Sequence, residues 1–275
     1  MDWRSAGSKS YIWVYRSGGI SSTHHIVLYE YQKTRNASHP VRFLKDYEGI
    51  CVTDGYQVYH SAEKTLEHIT IAGCWVHARR YFDEALKIIT QAVRSKSWGY
   101  LVMKQIQAIY REEGKLKHLK TEERLKQRQL VIKPLVDALF AYAKQHQVPV
   151  GTQGKLARAV TYLLNQEKYL RVFLENGEVP MDNNASERAI RGFCIGKKNW
   201  EMIDTVNGAS SSAIIYSIAE TAKANNLKPF DYFEYLLTEI PKHVDDKNTD
   251  FLAELLPWSD MLPQDIRKPQ KASEK

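Results

Sequence analysis

The sequence predicts a mixed α/β or α+β protein, strands first and helices after. Three observations point there. Up to about residue 73, short runs rich in aromatic and β-branched residues are separated by turn residues. From residue 74 the apolar spacing becomes helical. No strand-like run then interrupts the helical pattern before about residue 176, which marks an all-helical insertion.

Residues 10–16 and 25–31 read as two strands, joined through Ser-Gly-Gly-Ile-Ser-Ser-Thr at 17–23 as an antiparallel hairpin with a long loop. Residues 40–46 suggest a short helix with Phe43, Leu44 and Tyr47 to one side. Residues 49–54 form a short apolar strand that ends in Asp54, and residues 68–73 form another. Val76, Tyr81, Phe82, Leu86 and Ile89 then mark a helix. Further helices are expected over residues 100–111, 112–128, 130–146 and 154–176, the third with Pro134 near its start. Residues 177–184 are a loop. A helix follows from residue 185, with Asp182 or Asn183 placed to cap it, and two more cover residues 210–224 and 229–239. The expected organisation is a strand-bearing first part at 8–90, a helical insertion at 91–176, a second part of the core at 177–240 and a disordered tail at 257–275.

The 275 residues are 43% hydrophobic and 26% charged, which suits a globular protein with a buried core. The formal charge of +7 and pI of about 9.1 suit a polyanionic partner. Cys51, Cys74 and Cys194 are too few for a disulfide framework and fit a reducing, cytoplasmic compartment. The polar start is unlike a secretory signal, and no apolar run approaches the ~20 residues a membrane span needs, so no membrane role is expected. Phosphate-cradling glycine loops, His-Glu-x-x-His and Gly-x-Ser-x-Gly are absent from the sequence.

Three segments could carry chemistry. Asp54, in Val-Thr-Asp-Gly-Tyr at 52–56, stands at the end of an apolar strand, where α/β sheets place ligands; the competing reading is a plain Asp-Gly turn. Residues 181–191, Met-Asp-Asn-Asn-Ala-Ser-Glu-Arg-Ala-Ile-Arg, concentrate Asp182, Asn183, Asn184, Glu187, Arg188 and Arg191; Glu187 and Arg191 share a helix face. With Lys197, Lys198 and Trp200 they suit phosphate contact and base stacking, or else a solvated surface. In Cys-Trp-Val-His-Ala-Arg-Arg at 74–80, Cys74 and His77 have zinc-ligand spacing, but no second pair accompanies them. A buried cysteine and a hydrogen-bonded histidine is the stronger reading.

Taken together, these blocks resemble the transposases of the insertion-sequence 66 family. The resemblance rests on Thr-Asp-Gly-Tyr at 53–56, Gly-Cys-Trp-Val-His-Ala-Arg-Arg at 73–80, Asp-Asn-Asn-Ala-Ser-Glu-Arg-Ala-Ile-Arg at 182–191 and Ile-Gly-Lys-Lys-Asn-Trp at 195–200. Segments 8–15, 213–225 and 229–232 match as well, so it covers roughly residues 8–258 in order.

The resemblance implies a ribonuclease-H-like mixed five-stranded sheet with a helical insertion and C-terminal helices. It implies an Asp-Asp-Glu (DDE) triad holding Mg²⁺ or Mn²⁺, with Asp54 as the second aspartate and Glu187 as the glutamate. The implied reaction is strand cleavage and strand transfer at insertion-sequence ends. Arg79, Arg80, Arg188, Arg191, Lys197 and Lys198 are the candidate DNA contacts. The implied partners are DNA, further copies of the chain and small accessory proteins of the same element, in a bacterial cytoplasm. The first aspartate and its central strand would lie upstream of residue 8. Asp2 is too near the start to sit inside a strand. An N-terminally truncated core of impaired activity is therefore expected. The alternatives are a non-catalytic DNA-binding or oligomerisation remnant and an unrelated metal nuclease.

Overall fold

The computed structural model describes residues 9–149, 151–200, 203 and 205–269, with side chains described outside 197–200. Strands β1 (Tyr11–Arg16) and β2 (Val27–Gln32) are followed by helix α1 (Ser38–Phe43), β3 (Gly49–Thr53), α2 (Gln57–Thr65), β4 (Ile69–Gly73) and α3 (Trp75–Lys87). Next come the short α4 (Gln91–Arg94), the long α5 (Trp98–Lys115) and α6 (Thr121–Gln127). A π-helical turn, Arg128–Ile132, joins α6 to α7 (Lys133–Gln145). Then α8 (Lys155–Asn165), α9 (Glu167–Arg171), α10 (Asn184–Trp200), α11 (Val206–Ala224) and α12 (Pro229–Glu239) follow. The four expected strands form where the apolar runs lie. Helix α1 begins two residues before the expected one. Helix α2 was not expected, because Gln57, His60, Ser61 and Glu63 dilute its apolar signal. No helix among the described residues is long and apolar enough to cross a membrane.

The described strands form two separate ladders, β1–β2 antiparallel and β3–β4 parallel, rather than one five-stranded sheet. The chain divides into two units. One holds the β1–β2 hairpin and everything from Ala185 onward; the other holds Asn36–Asn184 together with Gly19–Ser21.

In the first unit, α11 does the work of a third strand. Val27 N–H donates to Thr221 Oγ1, and the same hydroxyl donates to the Val27 carbonyl, both at 3.0 Å. Tyr29 N–H donates to Ser217 Oγ at 2.8 Å, and Asn225 exchanges two hydrogen bonds with the His25 backbone. The pitches agree: four helical residues rise about 6 Å and two strand residues about 6.6 Å. One stripe of α11 therefore matches alternate residues of β2 and seals its edge. Beneath it, Val27, Tyr29, Ala189, Phe193 and Ala213 form a small core, and the Tyr29 hydroxyl donates to the Ala189 carbonyl at 2.7 Å.

A second core in this unit corrects the expected disordered tail. Leu262 and Ile266 are buried against Ala222, Leu227 and Tyr232, and Lys228 N–H donates to the Ile266 carbonyl. Two apolar side chains among the prolines and charges dock this stretch, together with hydrogen bonds from Asn226 and Lys228 to the carbonyls of Lys268 and Asp265. Residues 270–275 lie outside the described residues.

In the second unit the helical region and the strands share one core. Trp75 and Phe82 of α3 pack with Ile106, Ile109, Val136, Phe140, Leu163 and Phe173. The outer edge of β4 is also closed by a side chain, since Ile71 N–H donates to the Glu63 carboxylate of α2.

Replacing Thr221 by Val keeps its shape but leaves the Val27 N–H and carbonyl buried without partners. Each orphaned group costs about 1–3 kcal/mol. Chemical denaturation of Thr221→Val is expected to show a loss of that order, with Thr221→Ser close to wild type.

Candidate functional site

Parallel pairing sets Thr53 opposite Gly73, which brings Asp54 level with Cys74 at the carboxyl end of β3–β4. The Asp54 side chain is exposed, and its Oδ1 accepts the Tyr56 N–H at 3.0 Å, which fixes the turn. Gly55 has φ +80, a conformation that side chains rarely adopt, so the glycine of the motif is required locally.

The loop at 181–184 is fastened to the same edge. Trp75 N–H donates to the Met181 carbonyl at 3.0 Å, and Asn183 N–H donates to Cys74 Sγ at 3.4 Å. The Trp75 indole N–H donates to the Leu170 carbonyl. Cys74 and Trp75 thus tie β4, α9 and this loop together. Asp182 Oδ1 accepts the Asn184 N–H and shapes the entry to α10. Glu187 follows three residues later, half-buried in the first turn of α10 and belonging to the other unit. A carboxylate there is favoured by the helix dipole.

Cys74 and His77 present donor atoms within 4.8 Å of one another, and no other cysteine or histidine joins them among the described residues. Burial pushes the Cys74 thiol up to about 11, so it is held as a thiol that accepts a backbone hydrogen bond.

Arg79 and Arg80 are exposed on α3, with the Arg79 guanidinium 5.6 Å from the centre of the Tyr110 ring. Arg188 and Arg191 are exposed on α10. The side chains of Lys197 and Lys198 lie outside the described residues. Two participants escape the sequence. Arg16, at the end of β1, has its pKa lowered by burial and by the like charge of Arg188. Tyr162, on α8, donates its hydroxyl to the Asp54 carbonyl at 3.4 Å. Residues more than 100 positions apart leave no local spacing to betray that contact.

Burial also pushes the Cys51 thiol up to about 11, whereas Cys194 is exposed. At pH 8 only about one in a thousand Cys51 or Cys74 groups is then a thiolate. Iodoacetamide is expected to label Cys194 first, and Cys51 and Cys74 only on unfolding, as read by peptide mass spectrometry. Prompt labelling of Cys74 in the folded protein would contradict its buried, hydrogen-bonded placement.

Comparison with known proteins adds to this geometry. Three proteins of Sinorhizobium fredii (strain NBRC 101917 / NGR234) are similar, all carrying the name "Uncharacterized protein". For y4hP the identity is 29% over 242 residues, 84% of this chain and 43% of the relative. For y4qI it is 28% over 264 residues, 92% and 47%, and for y4jD 26% over 236 residues, 84% and 45%. The chain thus spans less than half the length of the curated relatives it matches. No solved structure matches it. Residues 2–211 match the transposase IS66 family and residues 217–258 the IS66 C-terminal element, so the chain belongs to the IS66 transposase family.

Proposed function

We propose that the chain carries part of the catalytic core of a DDE-type DNA transposase with a ribonuclease-H-like sheet, Asp54 being the second aspartate and Glu187 the glutamate. One observation carries the reading. Asp54 stands just past the carboxyl end of a parallel strand pair, and the loop leading to Glu187 is hydrogen-bonded to that same edge. Ligands of α/β sheets collect at such edges. The first aspartate belongs, on this reading, to a central strand upstream of β1, and none of the described residues supplies it.

The donor chemistry fits a hard divalent cation. The Asp54 carboxylate is exposed and its direction is fixed by the Tyr56 N–H. Mg²⁺ and Mn²⁺ favour such oxygen donors. When bound, the cation neutralises charge at the phosphate under attack. The protein's own residues orient the DNA. Arg79 and Arg80 on α3 contact backbone phosphates. Arg188 with Arg16 does the same, and phosphate binding relieves their mutual repulsion. DNA cleavage at element ends, followed by joining, is the reaction class.

In a longer protein that includes the upstream strand, metal-dependent nicking of a DNA end is expected to fall to background in Asp54→Asn and in Glu187→Gln while DNA affinity is retained. Nicking that survives both substitutions would refute the assignment. Affinity that stands without nicking, in this chain and in a longer protein with the upstream strand, would favour a non-catalytic DNA-binding role. Separately, Arg80→Ala is expected to weaken binding alike across sequences and to reduce the salt-dependence slope by about 1. An unchanged slope would remove Arg80 from the interface.

A further inference from the structure

We propose that Tyr162 and Gln166, at the C-terminal end of α8, are positioning residues for Asp54, so that the helical region sets the geometry in which the carboxylate is presented. The proposal rests on the reading of Asp54 as a metal-holding carboxylate.

The main chain at Asp54 is held from outside its own strand. The Tyr162 hydroxyl donates to the Asp54 carbonyl at 3.4 Å. Tyr81 of α3 packs on the Tyr162 ring with centroids 4.6 Å apart, so the hydroxyl is aimed by a helix that starts directly after β4.

The turn also fits closely under these side chains. A Cβ on Gly55 would come within 2.7 Å of the Tyr162 hydroxyl and 3.3 Å of Gln166 Oε1. Residue 55 must therefore be glycine twice over, for its backbone and for the approach of α8. Gln166 is only 9% exposed, and its Oε1 accepts no hydrogen bond among the described residues. The Thr53 hydroxyl, one residue before Asp54, is 6% exposed and unpartnered in the same way. Buried polar atoms left unmatched are costly, and a pair of them around one turn points to a ligand that satisfies them. Gln166 Oε1 faces the Gly55 turn, so it bears on the backbone that presents Asp54. Structural packing alone would be served better by an apolar residue at position 166.

Amide exchange of the full chain by NMR, read at Gly55 and Tyr56, tests the contact without any metal; Mn²⁺ affinity by electron paramagnetic resonance tests its consequence. Tyr162→Phe is expected to speed exchange at these two amides about two- to tenfold, as loss of one hydrogen bond would, with other α3 and α8 amides unchanged. Tyr162→Phe and Gln166→Leu are both expected to weaken Mn²⁺ binding, and Asp54→Asn to abolish it. Unchanged exchange in Tyr162→Phe overturns the proposal whatever the metal does. Faster exchange with wild-type Mn²⁺ affinity overturns the positioning role. Absence of Mn²⁺ binding by the wild-type chain overturns the claim that Tyr162 and Gln166 prepare a cation site here, even where the exchange data establish the contact; the reading of Asp54 as the second aspartate is decided separately, by nicking in a longer protein with the upstream strand. Gly55→Ala gives an independent check, being less damaging in the Tyr162→Phe background than in wild type. Equal damage in both denies the contact.

Discussion

A two-stranded ladder cannot seal itself, and that constraint shapes this protein. Each strand has an outer row of backbone donors and acceptors that burial makes costly unless partners are found. β1–β2 and β3–β4 each meet the need on one side with side chains rather than with another strand. Ser217, Thr221 and Asn225 line one stripe of α11 and pair with Tyr29, Val27 and His25. Glu63 of α2 accepts the Ile71 N–H while its other oxygen meets Lys168. Small polar residues on helices therefore take over what sheet extension does elsewhere.

The second unit applies the same economy to a loop. Arg128 is wholly buried; it pairs with Glu113 and donates to the carbonyls of Phe173 and Asn176. Arg124 donates to Leu116, Leu119 and Gly177, and Gln129 to Leu174. Four carbonyls between residues 173 and 177 are thereby held from α6 and the π-helical turn. A buried guanidinium is costly without such partners, so the segment and the arginines specify one another. That segment runs directly into Met181–Asn184, which Cys74 and Trp75 fasten at the edge bearing Asp54.

The acidic edge is thus assembled from distant parts of the chain. β3 brings Asp54, the start of α3 brings the anchor for residues 181–183, and α8 brings Tyr162 and Gln166 against the turn. Only the first of these is a local consequence of the motif. On the proposed reading of Asp54, a carboxylate that is fixed before a cation arrives binds it better, because ordering it afterwards costs affinity. Contacts from a packed helix supply that rigidity better than a free turn.

The sequence by itself determined the four strands, the helical stretch after residue 74, and the motif blocks that place the chain in its family. Those signals are local, carried by apolar period, turn residues and short spacings. It did not reveal helix α2, whose apolar face is diluted by polar residues. Nor did it reveal the docking of Leu262 and Ile266, where two apolar residues sit in a charged, proline-rich stretch. Tertiary structure alone decided that the Asn183 N–H meets Cys74 Sγ, that α11 closes β2, and that Tyr162 reaches Asp54 across 108 residues. The reason is physical: periodicity reports which face of an element is buried, whereas a hydrogen bond between distant elements depends on where packing finally sets them.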